Sequence, residues 1–211
     1  MARIPQGILG GLSGKIGGVV GSSWKGINVL KTKPLSVANP RTAAQQLQRA
    51  KFANCVQYAV VILSTILKPL WDRFAGQMSG YNAFVKENVS LFASLPLVHP
   101  EDLITSKGKM AATEITVAEA DVASNLIDVS WNDDSGSGYK LSDDIAYLVV
   151  IDNTDNKIAG YDTGASRDDT NVSVAFVNDI IAGHEYECYL TFKRTDGTVV
   201  SVNSYKEAIG A

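Results

Sequence analysis

Residues 183–192, GHEYECYLTF, decide the reading of the C-terminal half. Tyr186, Cys188, Leu190 and Phe192 recur at every second position, the period of a strand with one buried face. From residue 109 onward the same texture returns in short runs at 111–118, 126–131, 145–152, 157–161, 171–177, 185–193 and 199–204. Between them lie segments such as NDDSGSG, DNTDN and RTDG, whose Gly, Asn and Asp suit tight turns.

Seven such strands within one small domain are the number expected of an immunoglobulin-like β-sandwich, two antiparallel sheets over one core. The stretch IIAGHEYECYLTF resembles the turn into the sixth strand of fibronectin type III domains. The resemblance implies a tyrosine-corner role for Tyr186 and a core position for Trp131, although Ala182 stands near the place where that corner carries proline.

Upstream, Pro96, Pro100 and Gly108 mark residues 96–108 as a linker. Before it the period becomes helical. Asn39-Pro40 reads as an N-cap followed by proline at the first helical position. Leu47, Phe52, Cys55, Ala59, Ile62, Ile66, Leu70 and Phe74 then recur at three- and four-residue steps, with Pro69 expected to kink or end the helix. A second helix is expected from about residue 79 to 92, which makes residues 39–95 a helical hairpin. Residues 1–38 form a basic arm, with eight glycines among small apolar residues between positions 7 and 26. Glycine permits close backbone approach there, while Ile8, Leu9, Ile16, Val19, Val20 and Trp24 supply anchors. The expected fold class is therefore α+β: glycine-rich arm, helical hairpin, linker, and a seven-stranded antiparallel immunoglobulin-like sandwich over 109–211.

Charge divides along the same line. Residues 1–99 carry 11 Lys/Arg and 2 Asp/Glu, while 100–211 carry 8 and 20. A basic front half implies an acidic partner or the acidic surface of a neighbouring copy. Nucleic acid is the alternative, but the cations are sparse and no base-reading motif accompanies them. GLSGKIGG is not a phosphate loop, because Ile16 follows Lys15 where Ser or Thr would hold magnesium.

The apolar run at 59–67 falls far short of a bilayer span, and Lys15 interrupts the N-terminal apolar stretch, so neither membrane insertion nor a signal peptide is expected. Cys55 and Cys188 fall in different parts of the chain and read as small core residues. No histidine or cysteine spacing implies a metal, and the aspartate pairs at 133–134, 143–144 and 168–169 read as solvated turns. No cofactor is expected. Neither GxSxG nor HExxH is present, so the expectation is a protein that is not an enzyme.

Three segments, GLSGKIGGVVGSSWKGINVLKTKP, NPRTAAQQLQRAKF and SGYNAFVKENV, resemble an uncharacterised family of Bacteroidetes and phage-associated proteins known only as a domain of unknown function. NPRTxxQxxxR segments are also similar to those of phage structural proteins. The resemblance implies a virion or assembly component, located in the virion or assembled in the host cytoplasm, with protein subunits as partners and a homo-oligomeric state. It assigns docking to Lys15, Val20, Trp24 and Lys25 in the arm and to Arg41, Gln45 and Arg49 along the helix. A cell-surface adhesion module and a nucleic-acid packaging protein remain the alternatives.

Overall fold

The structure, a computed structural model, describes residues 11–24, 27–93, 95–175 and 179–211. The chain divides into two compact units, Met1–Thr42 and Ala43–Ala211. In the first, strands β1 (Gly14–Ile16), β2 (Val19–Trp24) and β3 (Ile27–Thr32) pair in sequence order as an antiparallel sheet.

The second unit begins with helix α1 (Ala43–Val61), one π-helical turn (Leu63–Leu67) and α2 (Lys68–Trp71), followed by α3 (Gly80–Asn88). The helix starts three residues after Pro40 instead of at it. Its path bends by 72° between Ala43–Val61 and Leu63–Trp71. The expected kink at Pro69 is therefore displaced to Ile62. Pro69 sits in the first turn of α2, where a missing amide costs no hydrogen bond. The bend turns Ile66, Leu67, Leu70 and Trp71 into the core. Of the expected apolar stripe, Cys55, Ala59, Ile62, Ile66 and Leu70 are buried, whereas Leu47, Phe52 and Phe74 are exposed. Ser79 caps α3 by accepting the Asn82 N–H at 3.3 Å.

Seven strands follow: β4 (Ile115–Asp121), β5 (Leu126–Trp131), β6 (Ile145–Asp152), β7 (Lys157–Ser166), β8 (Asn171–Ala175), β9 (Glu185–Lys193) and β10 (Ser204–Ile209). They form two antiparallel sheets, ordered β10-β9-β6-β7 and β4-β5-β8. The fold is thus mixed helix and sheet. The terminal strands shift from their expected places. Residues 199–204 make only isolated bridges, Lys193 with Val200 and Met110 with Ser201, and the ladder to β9 starts at Ser204.

Two cores explain this packing. One lies between the sheets: Ile127, Val129, Trp131, Leu148, Val150, Val174, Tyr186, Cys188, Leu190 and Phe192. The other joins the helices to the outer face of the four-stranded sheet, where Val149, Ile151, Tyr189 and Val200 meet Tyr58, Ile62, Leu67, Trp71 and Phe92. Every residue from Tyr186 to Phe192 is consequently buried. The alternation in GHEYECYLTF points to one core face, but the helices cover the other face as well.

Packing also revises the expected linker. Leu97, Leu103, Thr105 and Ser106 are buried. Leu97 exchanges backbone hydrogen bonds with the Asn153 side chain at 2.8 and 3.2 Å. The Trp71 indole donates to the Thr105 carbonyl at 2.7 Å, and Ser106 Oγ donates to the Ser201 carbonyl at 2.9 Å. Residues 96–108 are a packed seam, so the hairpin and the strands form one unit from Ala43 onward. Gly108 serves this seam directly, since a Cβ there would lie 1.7 Å from the Val200 carbonyl oxygen.

Candidate functional site

The arm sheet is built around glycine. Gly17 and Gly18 connect β1 to β2, and Gly17 takes φ +57°, a left-handed conformation that suits a two-residue hairpin. Gly21 lies under the chain itself, because a Cβ there would sit 2.2 Å from the Leu12 carbonyl oxygen. These contacts give a physical reason for two glycines of the arm motif.

Register sorts the arm into two faces. Ile16, Val19 and Thr32 form one cross-strand row, and Gly14, Gly21 and Leu30 form the next row on the same side. On the opposite side Lys15, Val20 and Lys31 form one row and Ser22 pairs with Val29. Lys15 and Val20, singled out by sequence, are thus direct neighbours. Trp24 pairs with Ile27 in the backbone ladder, and Lys25 lies outside the described residues.

Apart from Gly21, which is buried under Leu12, the described side chains of both faces are mostly exposed. Ile16 is 52% exposed and Leu30 65% exposed, while Lys15, Ile27 and Lys31 are exposed on the other side. Among the described residues, neither hydrophobic core contains one from the first 42 positions. A small sheet that buries so few of its described side chains is at best marginal in water, because strand pairing alone does not offset chain ordering.

Helix α1 shows the same feature over its first turns. Residues 43–50 are all exposed. Gln45, Arg49, Phe52, Val56 and Val60 follow one another at three- and four-residue steps, so they share a ridge. Phe52 is 51% exposed and Val60 57% exposed on it. Gln45, Gln48, Arg49 and Phe52 line an open, shallow groove. Arg41 falls in the extended segment before the helix, so it is not one turn below Gln45 as expected.

Inside the second unit one group of charged side chains is paired around Arg167. Arg167 is fully buried with its guanidinium 4.0 Å over the Phe192 ring. It pairs with Asp144 at 3.1 Å, contacts Asp134 and Thr113, and donates to Met110 Sδ at 3.2 Å. Partial burial works to raise the Asp134 pKa, but hydrogen bonds from Lys140 and Thr113 and the Arg167 charge hold it below the usual range. The sequence offers no sign of this centre, since Arg167 precedes the aspartate pair read as a solvated turn.

Asp152, Asp155 and His184 also converge, with ligand atoms within 4.8 Å of one another. Lys157 occupies that corner, 2.6 Å from Asp155 and 3.9 Å from Asp152, and holds the Asp155 pKa down by its hydrogen bond. The carboxylates of the cluster are thus already engaged by Lys157 and by His184, whose Nδ1 lies 3.1 Å from Asp152.

Glu187 is different. It is buried, faces Glu207 directly across the β9–β10 ladder, and accepts the Tyr205 hydroxyl at 2.7 Å. Burial foremost, then the charges of Glu207, Glu185 and Glu101, push its pKa up. Both cysteines are free and buried, and burial pushes the Cys55 thiol up to about 12.

The second unit thus carries its own cores, and the described part of the first carries exposed, glycine-shaped strands that contribute to neither core. The chain belongs to the family of unknown function DUF6266, whose model matches residues 11–207. No curated protein matches it. Among solved structures it is similar to the adhesin domain of Epf from Streptococcus pyogenes, at 8% identity and a TM-score of 0.33. That match covers 48% of this chain and 33% of the other.

Proposed function

We propose that this protein is a non-enzymatic assembly subunit that docks on neighbouring protein subunits through its arm sheet and the first turns of α1. One observation carries the reading: a three-stranded sheet with apolar side chains exposed on both faces and lysines exposed on one, whose described residues enter neither hydrophobic core. Such a sheet gains stability by laying a face on another protein, the way an interface core buries apolar area inside a polar rim. The six Lys/Arg and absent Asp/Glu of residues 1–42 direct it to an acidic surface.

The body then acts as an immunoglobulin-like sandwich. Two antiparallel sheets of three and four strands, ordered β4-β5-β8 and β10-β9-β6-β7 over one core, support that reading. The Tyr186 hydroxyl accepts the Ile181 N–H at 2.9 Å, which is the hydrogen bond of a tyrosine corner. The similarity of NPRTAAQQLQR to segments of phage structural proteins favours a virion as the assembly.

Deleting residues 1–36 removes most of the arm and leaves both hydrophobic cores intact. The shortened protein is expected to be a folded monomer where the full chain is oligomeric, as read by analytical ultracentrifugation. An oligomer undiminished by the deletion would sink the proposal. The virion assignment is checked separately by mass spectrometry of purified particles.

A further inference from the structure

The receiving surface has its own signature in the body. The four-stranded sheet is covered on its outer side by helices, but the outer face of the β4-β5-β8 sheet is bare. Register places Glu119, Asp128 and Ser173 in one row across it, with Val117, Ser130 and Asn171 on one side and Asp121 and Leu126 on the other. Glu119, Asp121 and Asp128 are exposed, and among the described residues none of them forms an ion pair. Asp128 accepts the Ser173 hydroxyl and Asp121 accepts the Ala123 N–H at 2.8 Å, so hydrogen bonds fix two of the three carboxylates. Lys206 contacts the far end of β4, where it donates to the Thr116 carbonyl at 2.7 Å. Beside β4, Ala118, Glu119, Asp121 and Ile209 line a shallow depression of about 400 Å³, with Ile209 60% exposed.

We propose that this acidic sheet face is the docking surface for the basic arm of a second copy of the chain. The inference rests on the arm being a docking element and names what it docks on. Charge selects the partner: the Lys15–Val20–Lys31 row presents two cations about 10 Å apart across three strands. The opposing carboxylates are spaced about 5 Å across the strands and about 7 Å along β4, within reach of flexible lysines. Val20, Val29 and Ile27 supply apolar contact to Val117 and Leu126, and two sheet faces pack at about 10 Å. The two surfaces differ, so the contact is heterologous and closes into a reciprocal pair or a ring, or extends as a filament. An arm strand about 20 Å long offers an interface at the small end of the stable range, which makes assembly dependent on concentration and salt.

The test uses the full chain and exposed charges whose reversal leaves the cores untouched. Lys15→Glu with Lys31→Glu, and separately Glu119→Lys with Asp128→Lys, are each expected to weaken self-association about tenfold or more in sedimentation. Mixing the two variants is expected to restore it, because each arm then meets a face of opposite charge; a misfolded variant would not be rescued this way. If the Glu119→Lys/Asp128→Lys protein assembles like wild type while the 1–36 deletion is monomeric, the acidic face is not the receptor and the arm reading stands. A full chain that is monomeric at all concentrations overturns the second-copy assignment as well.

Discussion

Two three-stranded antiparallel sheets in this protein have opposite fates. The described side chains of β1-β2-β3 are mostly exposed on both sides, whereas β4-β5-β8 buries Ile127, Val129, Trp131 and Val174 against a second sheet. Both are held by two antiparallel ladders, so strand pairing does not separate them. What separates them is the fraction of side chains removed from water, the dominant favourable term in folding. On the proposed reading, the arm sheet gains that term by laying a face on another molecule.

The comparison is broken most severely from the body side. Arg167→Ala would strand Asp144, itself fully buried, without its counter-charge, and a loss of about 3–5 kcal/mol is expected in urea unfolding. This centre is also acid-sensitive. Because the folded-state pKa of Asp134 is depressed, its contribution is present above the ordinary aspartate range and disappears as pH falls through the folded value.

A matched pair of glycine substitutions sharpens the contrast. Gly108→Ala collides with the Val200 backbone and is expected to cost the body about 1–3 kcal/mol. Gly21→Ala collides with Leu12 just as directly, yet should leave the urea midpoint of the body unchanged. Its effect belongs in faster amide exchange of residues 14–32 and in weaker self-association. An equal drop in body stability from Gly21→Ala would erase the distinction between the units.

A smaller effect is expected from Glu187→Gln. The folded-state pKa of Glu187 is raised, so its protonated form favours folding below the unfolded glutamate range and that benefit is lost as pH rises. Removing the charge should therefore raise the melting temperature by about 2–4 °C at neutral pH and by little at acid pH. The 1–36 deletion should move that temperature least of all, since neither core loses a side chain.

The sequence exposes some of these features more clearly than others. Strands 126–131, 145–152 and 185–193 were legible residue for residue, because alternation and flanking turn residues bound them on both sides. β10 was not, because the last strand was expected at 199–204, and only pairing with β9 places it at Ser204–Ile209. Lys15 and Val20 were legible as arm residues, but their row partner Lys31 was visible only in the register. Glu119, Asp121 and Asp128 were readable in principle, from alternating acids in ITVAEAD and LIDVSW, once one face of those strands was assigned to the core.

By itself, the sequence determined the charge division, the helical and strand periods and the glycines of the arm, all of them local properties of neighbouring residues. The tertiary structure decided the rest. It turned residues 96–108 from a linker into a packed seam, bent the helix at Ile62 instead of Pro69, buried Arg167 and covered the second face of β9. Each of these depends on contacts between positions tens of residues apart, and periodicity along the chain carries no record of which distant surface will cover a given face.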